Sequence, residues 1–276
     1  MSRVVAPLTI DIDGRPWRTL DVEHDLAIPV AFGDAQPVFF GAAPAAENVL
    51  RAGGFVGDVR EGGSCNCSTY TITPHCNGTH TECVGHITKD RLSVLDALNT
   101  SLHVALLVTV AATPAHATSE SSNPRPHAQD RLITRAALSA AASAAPIQKF
   151  SALVVRTLPN ELGKRTRNYD VDPAPFFTAE AMHWIVERGV EHLVTDLPSL
   201  DRANDEGRLT THRIFWNVPA GATKADRDTR TSATVTELAY IPDEIEDGAY
   251  LLSLQIAPFV ADAAPSRPIL IPIRPV

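Results

Sequence analysis

No apolar run in this chain approaches the ~18 consecutive residues a membrane-spanning helix needs. The longest, VALLVTVAA at 104–112, has the length of a buried strand. The N-terminal MSRVVAPLTIDIDG has one early arginine but passes into alternating apolar and acidic residues. It lacks the continuous apolar core of a secretory signal, so a cytoplasmic location is the expectation. Basic runs are missing as well. With a formal net charge of −8 and its lysines and arginines scattered, the chain offers no patch to nucleic acid or an anionic membrane. A small-molecule substrate is the expected partner. There is no GxGxxG, no P-loop and no internal repeat.

Cysteine is scarce and confined. All four, Cys65, Cys67, Cys76 and Cys83, fall in one short segment, which in a reducing compartment suggests metal or thiol chemistry rather than a disulfide framework. Cys83 reads as a small buried apolar residue. Aromatic residues make up only 6% of the chain. Phe39 and Phe40 sit in the Pro- and Gly-rich stretch DLAIPVAFGDAQPVFFGAAPA, a long loop able to bring them over a pocket, with packing onto the core as the alternative.

At 44% hydrophobic and 20% charged, 276 residues can bury a sizeable core, and the chain is expected to form one domain. LTIDIDGRPWRTLDV alternates around Asp13-Gly14, a hairpin turn dipeptide. TKDRLSVLDALN spaces Leu92, Leu95 and Leu98 as a helix would. Residues 113–130 form a loop by composition, and Asp130 is placed to cap an alanine-rich helix over 131–145. FSALVVRTL reads as a strand. Thr178 can cap AEAMHWIVERG, closed at Gly189, and VEHLVTD is again a strand. RIFW, ATVTELAYI, AYLLSLQIA and ILIPI read as four further strands. Helices interleave with strands only in the middle. The pattern predicts an α/β domain with a mixed, partly antiparallel central sheet and helices packed outside, rather than a doubly wound parallel sheet.

The richest stretch is HCNGTHTECVGH at 75–86, with three histidines, two cysteines, one glutamate and two glycines in twelve positions. If it is extended, Cys76, Gly78, His80, Glu82, Val84 and His86 share one face. Four strand residues span roughly 13 Å, so a common ion requires a bend between Cys76 and His80. Asn77-Gly78 is the expected place, since it tolerates a positive φ. Cysteine, histidine and carboxylate together suit zinc or a similar divalent metal, and three such ligands leave a position open to water. A carboxylate such as Glu82 can also bridge two ions ~3.5–4 Å apart. The rival is a closed structural zinc site made of the four cysteines, which the Cys-x-Cys spacing disfavours. A histidine on a strand is, taken alone, more often a satisfied core residue than a ligand.

These residues resemble the metal-dependent cyclase family, which includes bacterial kynurenine formamidases and isatin hydrolases and carries His-x-Gly-Thr-His-x-Asp-x-Pro-x-His. Gly78, Thr79, His80 and His86 match; Cys76 stands for the first histidine, Glu82 for the aspartate and Val84 for the proline. HDLAIPV, DLPSLD (196–201), LTTHRIFW and TVTELAYIP are similar to further segments of the family. The resemblance implies a cyclase-like swivelling β/α fold and one or two divalent ions per chain, zinc first with manganese the alternative. Cys76, His80 and Glu82 would hold one ion, Glu82, His212 and Glu237 a second, and His86 would be the acid/base residue. Without the family pattern His212 reads as a solvated loop residue and Glu237 as a strand-surface carboxylate. His75 could replace Cys76 if the backbone bulges. The implied function is a metal-dependent hydrolase of a non-peptide C–N bond in an aryl formamide or cyclic amide, working with metal-activated water as a homo-oligomer. The alternatives are a lactone hydrolase or cyclase, and a non-catalytic metal- or thiol-sensing protein.

Overall fold

A computed structural model describes residues 7–33 and 35–276. Its framework is an eleven-stranded mixed sheet. Four central strands, Leu102–Ala111, Ala152–Leu158, His192–Thr195 and Thr234–Glu237, run parallel. Beyond the first of them, Gly248–Ser253 and Ile269–Pro275 pair antiparallel and lead to the Thr9–Ile12/Arg15–Thr19 hairpin. Its turn sits at Asp13 and Gly14, both with positive φ (55° and 74°), as the dipeptide predicts. Beyond the last parallel strand, His80–Cys83 and Ala263–Pro265 pair antiparallel.

The central strands are apolar on both faces because both are covered. Leu106, Val108, Leu153, Val155, Leu193 and Val235 face one layer, while Ala105, Leu107, Ala152, Val154 and Val194 face the other. Five α-helices are present among the described residues: α1 (Pro74–Asn77), α2 (Val94–Ala97), α3 (Arg135–Ala142), α4 (Ala179–Glu187) and α5 (Thr210–Trp216). Leu138 of α3, Met182 and Ile185 of α4, and Phe215 and Trp216 of α5 fill the first layer. The second is closed by irregular chain, with Leu26, Ala239, Ile241 and Ile245. Among the described residues no helix is long and apolar enough to cross a membrane.

Thr178 and Gly189 bracket α4 as predicted, the Thr178 hydroxyl accepting from the Ala181 N–H at 3.0 Å. Three expectations fail. Residues 131–133 form a strand, and α3 starts after Thr134, whose hydroxyl accepts from the Ala137 N–H. Asp130 is not its cap, because its carboxylate takes the His127 N–H and the Arg202 guanidinium instead. RIFW lies in α5, not in a strand. Asp201 accepts the N–H groups of Thr211 and His212 in the first turn, and Phe215 and Trp216 find their partners in a helical layer, so packing overrides strand propensity. The leucine spacing around Leu95 yields only the single turn of α2, capped by Ser93.

Candidate metal centre

The site forms at the carboxyl ends of the parallel strands, where a change of strand direction opens a crevice. Glu237 ends one parallel strand and pairs in register with His80, the first residue of the antiparallel neighbour. His80 and Glu82, two residues apart, point to the same side. Both are fully buried.

Upstream, the common parity of residues 76–86 breaks. Pro74 suits the first position of a helix, and α1 turns the chain through Pro74–Asn77. Side chains adjacent on a helix diverge, so His75 and Cys76 are aimed apart. The bend needs no left-handed residue at Gly78, which is extended (φ 163°). A Cβ there would approach Val30 Cγ2 to 3.1 Å, so glycine serves close packing against the neighbouring loop.

His75 Nδ1 comes within 2.9 Å of Glu82 Oε2, and its Nε2 lies 3.1 Å from Asp262. His86 Nδ1 lies 3.5 Å from Asp262 and 3.9 Å from Glu82. On the other side, His212 Nε2 is 3.2 Å from Glu82 Oε1 and 3.5 Å from Glu237 Oε1, while His80 Nε2 is 3.4 Å from Glu237 Oε2. Two sets of potential ligand atoms result, His75–Glu82–His86 and His80–Glu82–Glu237, with Glu82 in both. His212 belongs to neither set but lies against Glu82 and Glu237.

This donor arrangement fits a divalent metal. His80 Nε2 and both Glu82 oxygens are buried without a hydrogen-bond partner, since the neighbouring imidazoles approach out of line. Buried polar atoms left without a hydrogen bond in this way are costly, and an ion between them removes the cost. Burial opposes ionisation of Glu82, but His86, His212 and His75 hold its carboxyl well below the usual range. Burial and repulsion from Glu82 likewise oppose ionisation of Glu237, and His212 and His80 outweigh them. Burial lowers the basicity of His75, yet the hydrogen bond to Asp262 and the adjacent Glu82 carboxylate lift its pKa to about 10. His212 is raised in the same way by Asp201, Glu237 and Glu82.

Of the residues singled out in the sequence, His80, Glu82, His212, Glu237 and His86 are brought together. Cys76 offers no atom to either set. It lines the adjoining cavity, and burial, with Asp170 and Glu237 nearby, pushes its thiol up to about 11. Among the described residues the ligand sets contain no cysteine. The Cys83 thiol is buried and donates to the Leu92 carbonyl at 3.2 Å, and Cys65 is exposed. His212 belongs to helix α5 and is buried, and Glu237 is buried too, against the readings their local sequence suggested. Two carboxylates were missed. Asp201 accepts from His212 Nδ1 at 2.7 Å and closes the DLPSLD segment that the sequence flagged without a role. Asp262 had no sequence signal. Sheet pairing places it, since Ala263 is in register with Glu82.

The cavity above the cluster holds about 550 Å³ and is lined by Phe39, Phe40, Leu209, Ser199, His86 and His212 among others. Phe39 is buried against Tyr169 and Leu238 and meets Phe40 edge-on at 5.4 Å. Phe40 is exposed, and its left-handed backbone (φ 60°) is held by Asp170, which accepts from the N–H groups of Phe40 and Gly41, each at 2.8 Å. The loop thus divides the two alternatives between its rings: Phe39 packs inward, and the exposed Phe40 lines the cavity.

A mixed α/β sheet with a histidine–carboxylate cluster at its carboxyl edge defines an α/β protein with a candidate metal centre. The cyclase family model matches residues 21–202, more than half of the chain, and the protein belongs to that family. His212 and Glu237 lie beyond the matched span. Among solved structures, isatin hydrolase A from Labrenzia aggregata, bound to benzyl benzoate, is 14% identical, with a TM-score of 0.60 over 91% of this chain and 93% of that one. Isatin hydrolase A from Ralstonia solanacearum is also 14% identical, with a TM-score of 0.56 over 91% of each chain. A protein described as a predicted metal-dependent hydrolase, from Bacillus stearothermophilus, is 15% identical, with a TM-score of 0.57 over 91% of this chain and 98% of that one. At these identities the likeness is one of fold. No curated protein sequence matches the chain.

Proposed function

We propose that this protein is a metal-dependent hydrolase of a non-peptide C–N bond, acting on an aryl formamide or a cyclic amide. The observation that carries the reading is Glu82: a buried carboxylate whose two oxygens lack hydrogen bonds, placed at the junction of two ligand sets on the floor of a cavity. His80, Glu82, Glu237 and His212 would hold the ion, with a second at the His75 side of Glu82. A divalent ion bound there supplies Lewis acidity and lowers the pKa of its water toward neutrality.

The chain's own residues supply the rest. His86 lines the cavity with Nδ1 toward Asp262, leaving Nε2 as the atom that returns a proton to the leaving nitrogen. Phe39 and Phe40 wall the cavity with aromatic surface, and its volume suits a small organic molecule. Isatin is itself a cyclic amide on an aromatic ring, and proteins with this fold hydrolyse it by name.

The test is a matched panel of aryl formamides, lactams and lactones assayed with the metal-loaded protein. Hydrolysis of the formamides or lactams is expected. Hydrolysis of lactones alone moves the assignment to ester chemistry, and no turnover of any member moves it to a binding or sensing role.

A further inference from the structure

We propose that His75, rather than Cys76, is a metal-ligand histidine of this centre, binding through Nδ1, and that Asp262 is its positioning residue. The proposal rests on the metal-dependent reading above.

Three histidines around Glu82 and Glu237 share one arrangement. Each turns one ring nitrogen toward these carboxylates and has the other held by an oxygen acceptor. His80 presents Nε2 and has Nδ1 on the Gly78 carbonyl at 3.0 Å. His212 presents Nε2 and has Nδ1 on Asp201 at 2.7 Å. His75 presents Nδ1, 2.9 Å from Glu82, and has Nε2 on Asp262 at 3.1 Å. A metal-ligating imidazole needs this second contact, because the acceptor fixes the tautomer and aims the lone pair. His86 differs: its Nδ1 lies 3.5 Å from Asp262 and 3.9 Å from Glu82, farther than the His75 nitrogens from the same two carboxylates.

Asp262 is anchored for this task by the sheet. Ala263 pairs in register with Glu82, and the Cys83 N–H donates to the Asp262 carbonyl at 3.0 Å, so the backbone beneath the carboxylate is fixed beside the strand that carries Glu82. Its side chain is about one third exposed and faces both His75 and His86. Cys76, one residue from His75, contributes no atom to either ligand set.

Cobalt(II) loaded into the chelator-stripped protein tests this without reference to turnover. The wild type should take up Co2+ without the near-ultraviolet absorption of a sulfur-to-cobalt charge transfer, and Cys76→Ala should bind with affinity within about twofold of wild type. His75→Gln should weaken binding at one ion position at least tenfold. Asp262→Asn should weaken it by about 10- to 100-fold with an unchanged circular dichroism spectrum, and Asp262→Glu should recover part of the loss. A thiolate band that disappears in Cys76→Ala, or full Co2+ affinity in His75→Gln, overturns the assignment and leaves the metal-dependent reading standing. A wild-type protein that takes up no Co2+ overturns both.

Discussion

Glu82 Oε1 stands 3.2 Å from His212 Nε2, joining a strand in the first third of the chain to a helix in the last. The two meet because the Thr234–Glu237 strand pairs with His80–Cys83 while α5 packs over the same end of the sheet. Substitution of the shared carboxylate should therefore disable both ligand sets. Glu82→Gln is expected to lose most of its bound metal and at least about 100-fold in hydrolysis rate, read by elemental analysis and steady-state kinetics.

Metal uptake should release protons. In the metal-free protein the surrounding carboxylates lift the pKa of His75 to about 10 and that of His212 above its usual value, so both rings hold a proton more tightly than a free imidazole and must give it up to become ligands. Affinity is expected to rise with pH over the range 6–8. Calorimetry in buffers of different ionisation enthalpy measures the release directly.

Asp201 holds His212 and also caps the first turn of α5. Asp201→Asn keeps an acceptor for the backbone but loses the charge behind the imidazole, and should weaken metal affinity by about 10- to 100-fold. Competition with a chromophoric chelator reads the change.

Lys164 and Asp196 form a buried ion pair at 2.7 Å, with Thr157 also donating to the carboxylate. Lys164→Met leaves a buried carboxylate without its cation and should cost about 3–5 kcal/mol in urea denaturation.

His192 packs against His103 with ring centroids 3.9 Å apart at the opposite end of the strands. Burial, then repulsion from His103 and Arg230, lowers its pKa to about 3. The unfolded chain protonates this residue near pH 6.5 and the folded one does not, so the unfolded state binds the extra proton as pH falls from about 6.5 to about 3. Stability is lost over that window by as much as about 1.4 kcal/mol per pH unit. His192→Gln should give a shallower decline between pH 6 and 4.

Much of this architecture was legible in the sequence because it follows from local pattern. The long strands announce themselves by apolar runs, α4 by its cap and its glycine, the hairpin by Asp13-Gly14. The candidate site was legible where histidines and a carboxylate cluster, at His80, Glu82 and His86, and His212 and Glu237 came through likeness to a family. What escaped was set by tertiary contact. RIFW is helical because Asp201 caps it and the layer above the sheet receives its aromatic residues. His75 faces Glu82 because a proline starts a helical turn where an extended strand was expected. Asp262 reaches the site through strand register, which no short motif encodes.

The central claim is that a divalent metal at Glu82 drives hydrolysis. Elemental analysis of the purified protein, followed by chelation and reloading with zinc or manganese under an aryl formamide and lactam assay, tests it most directly. One to two ions per chain are expected, with activity lost on chelation and restored on reloading. A metal-free protein with undiminished amide hydrolysis would contradict the account.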